Sequence, residues 1–362
     1  MRIVFRIDVS RESGFGHLSR CLTLAKALKE RGDDISFIVR DHFDHSYDVL
    51  TINNFSLFLL ERQPDSIINA KSNSGYKNWL ATSLNQDAKE TIDICKDNGA
   101  IDWLIIDHYA IDITWHQSLR TYVRNIMVID DLANRSLDCD LLLNQTNDFK
   151  TETYNNLIPL KTKKLIGGKY VLLRDEFSQL RKKAIQKRRE KIHVDNIIIF
   201  FGSMDHTNIS MNVINALEDS HLNRNIKIRI ILGKEAPYLN IIKERLKSCT
   251  LNYELLIDVT NMEELLFEAD IAIGAGGMNS WERCCLGLPT LITSSAENQI
   301  DNIASLKSSG AVIIWDSIND LISKLNTMIS DQGLIQSMGE KAFKVCDGKG
   351  TERVINEIIN AS

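Results

Sequence analysis

The fold of this chain is decided by residues 2–40, RIVFRIDVSRESGFGHLSRCLTLAKALKERGDDISFIVR. Residues 2–7 are a short apolar run rich in β-branched side chains, which predicts a buried strand. A helix is predicted over 18–31, ended by Gly32 as a C-cap, because apolar residues recur at helical spacing at Leu18, Cys21, Leu22, Ala25 and Leu28. Residues 35–39 predict the next strand. The stretch is therefore a strand–helix–strand unit.

The same alternation of short apolar runs and helix-length stretches continues along the chain. In the first half, further strands are predicted at 103–106, 126–129 and 141–143, and the polar, irregular residues 61–80 are typical of a helix with a variable loop. After residue 194 the pattern starts again, with strands predicted at 196–201, 228–232, 253–257, 271–273, 290–293 and 311–314. Continuously apolar short strands separated by helices predict parallel sheets that are covered on both faces.

Two such halves predict an α/β protein with two doubly wound, Rossmann-like domains, an N-terminal one at 1–180 and a C-terminal one at 192–362. A length of 362 residues also fits about two domains. The boundary is expected in residues 181–191, where seven of the eleven positions are basic. We interpret this run as a solvated linker or helix surface, and not as a nucleic-acid site.

Composition excludes several classes of protein. Hydrophobic residues make up 44% of the chain and charged residues 25%, which are ordinary values for a soluble globular protein and exclude a disordered one. No apolar run approaches the roughly 18 residues that span a bilayer, and the N-terminus reads as a strand, not as a signal peptide. A net charge of −5 gives no general attraction to nucleic acid or to an anionic membrane. Seven cysteines without repeated spacing predict no disulfide partner and no zinc site, so a reduced, cytoplasmic compartment fits best.

A first candidate site lies between the strand at 2–7 and the helix that begins near Leu18. Gly14 and Gly16 allow a tight turn and the close approach of a ligand. The helix N-terminus that follows offers unpaired N–H groups suited to an anion. The dinucleotide fingerprint Gly-x-Gly-x-x-Gly fits poorly, because Ser19 occupies the third glycine position. A nicotinamide cofactor is therefore not favoured.

His17 is the chemically distinctive residue of this turn. It is predicted at the carboxyl edge of a parallel sheet, where doubly wound folds bind their ligands. The positive end of a helix tends to lower the pKa of an imidazole, which favours a neutral ring able to accept a proton near pH 7. On spacing alone, a catalytic base and a helix cap or turn residue are equally supported.

A second candidate site follows the strand predicted at 271–273. A glycine-rich turn at 274–277 leads into a short helix, and such a turn before a helix forms an anion cradle large enough for a pyrophosphate. Glu282 has two interpretations at this point. It forms a capping box with Asn279 as the N-cap, or its carboxylate accepts hydrogen bonds from ribose hydroxyls.

Three other groups have side chains that could carry chemistry. Asp107-His108-Tyr109 follows a strand, so substrate contact and a capping Asp with a half-buried Tyr both remain open. Asp138-x-Asp140 imitates a metal motif of sugar transferases, but it enters an apolar strand and is interpreted as turn chemistry. Cys284-Cys285 is expected in the core. No His-x-x-x-His or similar spacing occurs, so a metal enzyme is not expected.

Taken together, several stretches resemble the UDP-2,4-diacetamido-2,4,6-trideoxy-β-L-altropyranose hydrolases of pseudaminic acid (nonulosonate) biosynthesis. They are Phe5-Arg-Ile-Asp8, Gly14-Phe-Gly-His17-x-x-Arg20, Asp107-His-Tyr109, Cys139-Asp-Leu-Leu-Leu-Asn-Gln145, Tyr170-Val-Leu-Leu-Arg-Asp-Glu-Phe177, residues 274–289, Ala296-Glu-Asn-Gln299 and Asp347-Gly-Lys-Gly350. The resemblance covers nearly the whole chain, although the glycine-rich loops alone also resemble the peptidoglycan N-acetylglucosaminyltransferase. The sequence departs from the family's usual Gly-Gly-x-Asp at Phe201-Gly-Ser-Met-Asp205.

The resemblance implies the GT-B architecture, with two Rossmann-like domains facing across a cleft and UDP held by the C-terminal one. It implies a hydrolase that needs no metal or cofactor. His17 would be the general base, water would attack the anomeric carbon with inversion, and UDP would leave. The substrate-binding positions carried over are Asp8, Gly14, Gly16, Arg20, Tyr109, Gly276, Gly277, Glu282, Asn298 and Gln299. Among these, Glu282 would hold the ribose and Gly276-Gly277 the diphosphate.

Other functions remain open at this stage. A GT-B glycosyltransferase with a UDP-sugar donor would need an acceptor groove, and for a lipid acceptor a membrane-facing patch. Residues 1–100 show no such patch, although 55–60 are apolar. A nucleotide-sugar-binding protein without catalysis is a second alternative, and a nicotinamide oxidoreductase is a third. The expected partner in our reading is a small-molecule UDP-sugar, without nucleic acid or membrane.

Overall fold

The computed structural model describes residues 1–9, 15–42, 47–62, 75–146, 150–191, 193–220, 222–296 and 299–361. Its internal contacts divide the chain into two compact units. The first unit comprises Met1–Leu172 together with Gly350–Ser362, and the second comprises Leu173–Lys349. Each unit is built on one sheet whose strand pairs are all parallel.

The first unit contains a sheet with seven strands among the described residues. The strands are β1 (Arg2–Ile7), β2 (Asp34–Arg40), β3 (Ser56–Leu60), β4 (Ile101–Asp107), β5 (Val123–Ile129), β6 (Leu141–Asn144) and β7 (Lys163–Ile166). They are connected by the helices α1 (Phe15–Glu30), α2 (Asp48–Ile52), α3 (Leu84–Asp97) and α4 (Ile113–Leu119) and by 3₁₀ turns at Gly75–Leu80, Thr151–Tyr154 and Gly168–Tyr170. The spatial order is β3-β2-β1-β4-β5-β6-β7.

Strict alternation along these strands gives the first sheet two buried faces. Phe5, Trp103 and Ile105 pack on the side of α1, which we call the α1 face. Their neighbours Val4 and Leu104 pack on the opposite side, with α4. Because side chains alternate with a period of two, the same parity decides which residues at the strand ends lie on the α1 face.

The second unit contains a six-stranded sheet within the described residues. Its strands are β8 (Asn196–Phe200), β9 (Lys227–Leu232), β10 (Tyr253–Ile257), β11 (Ile271–Ala275), β12 (Thr290–Thr293) and β13 (Val312–Ile314). Its helices are α5 (Asp175–Glu190), α6 (Ile209–Asp219), α7 (Leu239–Leu246), α8 (Met262–Glu268), α9 (Asn279–Cys285), α10 (Ile300–Ser308), α11 (Ile318–Ser330) and α12 (Gln332–Val345). The last helix, α13 (Gly350–Asn360), returns to the first unit.

Both sheets have the doubly wound order in which the first strand lies in the interior. In the second sheet that order is β10-β9-β8-β11-β12-β13. The strand order reverses between β1 and β4 in the first unit and between β8 and β11 in the second. Ligands of open α/β sheets bind outside the carboxyl ends of the strands at such switch points. The fold thus confirms the two Rossmann-like domains expected from the sequence.

The unit boundaries differ from the predicted 1–180 and 192–362 at two places. Helix α5 packs within the second unit, where the buried Arg188 donates to the carbonyl oxygens of Leu266 and Ala269. Part of the basic run is therefore packed helix and not solvated linker. The C-terminal helix instead buries Val354 and Ile358 in the core of the first unit.

The strands predicted from apolar runs are present, whereas β3 and β7 were not predicted. Of residues 61–80, positions 63–74 lie outside the described residues, and Gly75–Leu80 form a 3₁₀ turn, not an α-helix. Across the ranges described, no helix has both the length and the apolar character needed to cross a membrane.

Candidate functional site

The first candidate site is built where α1 begins and β4 ends. His17 lies in the first turn of α1, and Asp107 is the last residue of β4. The Nδ1 of His17 lies 2.6 Å from Oδ1 of Asp107, and both side chains are buried. The Nε2 of His17 makes no hydrogen bond within the described residues. This is the arrangement of a base that is oriented by a carboxylate.

Arg20, one turn further along α1, holds the same carboxylate from its other side. Its Nε lies 2.6 Å from Oδ2 of Asp107, and a second guanidinium nitrogen lies 2.6 Å from Oδ1. Burial alone would raise the pKa of Asp107, but Arg20 and then His17 outweigh burial, and the pKa lies well below its usual range. Asp107 is therefore ionised at neutral pH and accepts the Nδ1 proton of His17, so that Nε2 carries the free lone pair.

Tyr109 and two further aromatic rings surround the imidazole. The ring centroids of His17 and Tyr109 are 4.6 Å apart, and those of His17 and Trp79 are 5.8 Å apart. Trp79 stacks on Tyr109 at 5.5 Å, and Tyr76 contacts both rings edge-on. The hydroxyl of Tyr109 donates to Asp131 at 2.8 Å, and Arg20 also donates to Asp131. The imidazole of His17 therefore lies beside a group of aromatic rings, one of which, Tyr109, is held in place by its hydrogen bond to Asp131.

Asp8 was predicted to bind substrate, and the structure places it in a buried network on the other face of the sheet. Its carboxylate accepts hydrogen bonds from Arg6, from the backbone N–H of Arg40 and from Nε2 of His108 at 3.0 Å. Burial alone would raise the pKa of Asp8, but Arg6 outweighs it, and the pKa lies well below its usual range. In this position Asp8 connects the carboxyl ends of three strands.

The network continues through Asp87 of α3, which is fully buried. Asp87 binds the guanidinium groups of Arg6 at 2.6 Å and Arg40 at 2.7 Å, and it accepts the indole N–H of Trp115. Gly16 was predicted in the turn before the helix, but α1 begins at Phe15, so Gly16 lies in its first turn. Gly14 and Asn298, which were also predicted to bind substrate, lie outside the described residues.

The second candidate site is the glycine turn after β11. The backbone N–H of Gly276 donates to Oε1 of Gln299 at 3.2 Å, and the Gly276 carbonyl accepts from Asn302 at 2.7 Å. Arg283 donates to the carbonyl of Ala275 at 2.6 Å. A Cβ at Gly276 would overlap Cγ1 of Ile303, so a larger residue here would force the side chain of Ile303 to move. Gly277 follows directly, and its carbonyl accepts from Ser280.

This geometry assigns Gln299 a contact that sequence reasoning missed. Its carboxamide oxygen also accepts the backbone N–H of Ser295 at 3.0 Å. Gln299 therefore connects the loops after β11 and β12, and the N–H of Gly276 is occupied within the protein. The predicted role of Gln299 in substrate binding stays a prediction.

Glu282 lies in the first turn of α9 and is partly buried. Burial raises its pKa to about 7, although Arg174 and Asn279 favour the charged form. Of the two interpretations of Glu282, the capping box is not formed, because Met278 is the N-cap and the side-chain amide of Asn279 donates directly to the Glu282 carboxylate. The neighbouring Cys284 and Cys285 are core residues, as expected.

The Asp-x-Asp sequence and the cysteines form neither a metal site nor a disulfide within the described residues. Asp138 and Asp140 both bind the guanidinium of Arg120, which explains the Asp-x-Asp spacing without a metal. Among the described residues, no group of three or more His, Cys, Asp or Glu side chains is arranged to hold a metal ion. All seven cysteines are free thiols.

The contacts of Asp107, Asp131 and Trp79 were not found from the sequence. Asp107 is 90 residues from His17, and the pairing follows only from the adjacency of β1 and β4. The sequence indicated only that Asp107 ends a strand, which places it at the carboxyl edge of the sheet. Trp79 lies in a stretch without regular hydrophobic periodicity.

Comparison with known proteins shows which families and chains this sequence is similar to. Residues 196–351 match the glycosyltransferase family 28 C-terminal domain. The chain is 28% identical over 272 residues to the UDP-2,4-diacetamido-2,4,6-trideoxy-beta-L-altropyranose hydrolase of Campylobacter jejuni, covering 75% of this chain and 83% of that protein. It is 26% identical over 305 residues to the uncharacterized protein MJ1062 of Methanocaldococcus jannaschii, covering 83% of this chain but only 57% of that protein.

Among solved structures, MurG of Acinetobacter baumannii has a similar fold. The TM-score is 0.70 at 15% identity, and the match covers 99% of this chain and 100% of that chain. At this identity the likeness concerns the fold alone. These findings confirm the resemblance seen in the sequence: the chain has a GT-B fold, its residues 196–351 match the glycosyltransferase family 28 C-terminal domain, and it is similar to the UDP-2,4-diacetamido-2,4,6-trideoxy-beta-L-altropyranose hydrolase of Campylobacter jejuni.

Proposed function

We propose that this protein is a cytoplasmic, metal-independent hydrolase that releases UDP from UDP-2,4-diacetamido-2,4,6-trideoxy-β-L-altropyranose in pseudaminic acid biosynthesis. The observation that carries the proposal is the 2.6 Å contact between His17 Nδ1 and Asp107, with Nε2 unbonded within the described residues. A base held in one tautomer by an ionised carboxylate is what water activation requires. The similarity to the Campylobacter hydrolase supplies the substrate class.

In the proposed reaction, Nε2 of His17 accepts a proton from water. The water oxygen forms a bond to the anomeric carbon while the bond from that carbon to the diphosphate oxygen breaks, and the configuration at the carbon inverts. The proton remains on His17 until it is passed to solvent, and the negative charge of Asp107 stabilises the imidazolium. A positioned base of this kind contributes about 10²–10⁴-fold to the rate.

The second unit is proposed to bind the nucleotide. Gly277 and the residues that follow it offer backbone N–H groups to the diphosphate, and Glu282 accepts hydrogen bonds from the ribose. The N–H of Gly276 takes part only if the diphosphate displaces Gln299. Because UDP leaves as a stable anion, no acid is needed to protonate it, and hydrogen bonds to the diphosphate stabilise the developing charge.

The test is to incubate the pure protein with UDP-2,4-diacetamido sugars and to follow UDP release, identifying the product anomer by NMR. His17→Asn should abolish release while UDP affinity, measured by calorimetry, stays unchanged. Release that survives this substitution would exclude His17 as the base. Loss of UDP binding together with activity would instead indicate a damaged fold.

A glycosyltransferase is the second candidate, because the match at 196–351 is to a glycosyltransferase domain. The two functions differ in the nucleophile. Hydrolysis proceeds in buffer with water alone, whereas transfer of the sugar requires an added acceptor. UDP release that appears only with a sugar or lipid acceptor would favour the transferase, and stable binding without any release would favour a binding protein.

A further inference from the structure

The carboxamide of Gln145, at the end of β6, is buried without a partner. The side chain is 2% exposed, and neither Oε1 nor Nε2 makes a hydrogen bond within the described residues. The adjacent Asn144 is also buried, but its amide is engaged by Tyr154 and by the backbone N–H of Thr146. Buried carboxamides are nearly always hydrogen-bonded, so an unpaired one needs an explanation.

The register of the sheet places Gln145 level with Asp131 and Tyr109. Ile129 pairs with Leu143 across β5 and β6, and continuing this register by two residues sets Asp131 opposite Gln145. Likewise, Ile106 pairs with Val128 across β4 and β5, which brings Tyr109 opposite Asp131. The hydroxyl of Tyr109 donates to Asp131, so these two side chains meet at this edge of the sheet.

Alternation places Gln145 on the same face as His17. Asp130 and Asn144 both bind Tyr154 on the face opposite α1, so the following residues, Asp131 and Gln145, lie on the α1 face. Asp131 confirms this parity, because it binds Arg20 of α1. The carboxyl edge of the sheet therefore presents Asp107 with His17, then Asp131, then Gln145 along one face.

The spacing of this row fits one sugar ring. Strands lie about 4.8 Å apart, so β4 and β6 are separated by about 10 Å, the scale of a monosaccharide with its substituents. His17 stands at one end of the row, where the proposed function places the anomeric carbon. At the other end is a group with one acceptor and two donor hydrogens, which is the complement of a secondary amide.

We propose that the Gln145 carboxamide binds an acetamido substituent of the sugar, its Nε2 donating to the acetyl carbonyl and its Oε1 accepting the amide N–H. This inference rests on the proposed function for the position of the sugar, and it names the group by which the substrate is selected. In a site shielded from water, a polar group left unpaired by the wrong ligand carries a large penalty. Gln145 thereby selects amide-bearing sugars over amino or hydroxyl analogues.

The test measures binding, so that it does not depend on turnover. In a His17→Asn background, calorimetry compares UDP, the UDP-2,4-diacetamido sugar, and its two analogues with a free amine at C2 or at C4. Adding Gln145→Leu should weaken binding of the diacetamido ligand about 10–100-fold and leave UDP unchanged. The amine analogue that lacks the acetyl group contacted by Gln145 should have the same affinity for the His17→Asn protein with and without Gln145→Leu. Gln117→Leu, at an exposed position on α4, is the matched control and should change none of these affinities.

The melting temperature of the Gln145→Leu protein distinguishes a side chain that contacts ligand from one that stabilises the fold. Because the carboxamide has no partner in the described protein, Gln145→Leu should not lower the melting temperature of the free protein. A lower melting temperature, or equal affinity of both proteins for the diacetamido ligand, would overturn the inference. If the ligand discrimination is found but the protein with His17 intact releases no UDP, the proposed hydrolysis fails and the role of Gln145 stands.

Discussion

The raised pKa of Glu282 predicts a pH-dependent gain in stability on replacing it with glutamine. Burial raises this pKa from 4.5 to about 7. The folded protein therefore holds a proton that the unfolded chain releases at lower pH. The stabilising contribution of that proton is complete below pH 4.5 and is lost as the pH rises to about 7. Glutamine has nearly the same shape and no charge, so the Glu282→Gln protein does not lose this stability as the pH rises.

The magnitude follows from the shift of about 2.5 pH units. At about 1.4 kcal/mol per unit, ionising Glu282 at pH 8 costs the native state about 3 kcal/mol, against about 1 kcal/mol at pH 5. The side chain is partly exposed, which reduces both figures. We therefore expect the stability of Glu282→Gln relative to the unsubstituted protein to be about 2 kcal/mol higher at pH 8 than at pH 5.

Urea unfolding followed by circular dichroism at the two pH values measures this difference. Comparing the same substitution at two pH values cancels the packing effects that do not depend on protonation. Glu235→Gln serves as a control, because Glu235 is exposed and makes no side-chain hydrogen bond within the described residues. A relative stability of Glu282→Gln that is the same at pH 5 and pH 8 would refute the argument from burial.

Four further outcomes are expected. Asp107→Asn should lower kcat for UDP release by about 10²–10⁴-fold at unchanged UDP affinity, because an amide no longer stabilises the imidazolium; full activity would remove Asp107 from the mechanism. Glu282→Ala should weaken UDP binding in calorimetry more than it slows hydrolysis of bound substrate, and equal UDP affinity would leave it a purely structural residue. Excess EDTA should not change the rate, whereas inhibition reversed by a divalent ion would contradict a metal-free reaction. Asp87→Leu should lower the free energy of unfolding in urea by about 3–5 kcal/mol, since Arg6 and Arg40 lose their shared carboxylate; a loss below about 1 kcal/mol would contradict this.

The sequence was sufficient to predict the fold class, because short apolar runs and helical periodicity are local signals. The runs at 103–106 and 271–273, for example, correspond to β4 and β11. Strand β7 was missed because its sequence Lys-Lys-Leu-Ile is half polar, as expected for a strand at the edge of a sheet. The division into units was predicted less well, since the return of α13 to the first unit depends on long-range packing.

For the candidate sites, sequence spacing identified the loops but not the partners. The glycine turn before it makes His17 stand out in the sequence, which predicts the helix end as the main influence on the protonation of its imidazole. The structure adds Asp107, whose ionised carboxylate contacts Nδ1 directly and decides which nitrogen is free. Asp8 stands beside the same turn in the sequence, but it points to the other face and is enclosed by Arg6 and His108.

What the sequence determined by itself is the set of strands and helices and the loops that join them, because hydrophobic periodicity and glycine punctuation act over a few residues. Only the tertiary structure decided which of those loops meet. Parallel pairing of β1 with β4 brings residues 90 positions apart within a hydrogen bond, and alternation along β5 and β6 assigns Asp131 and Gln145 to the face of His17. Strand order and register arise from the packing of the whole sheet, and no local pattern encodes them.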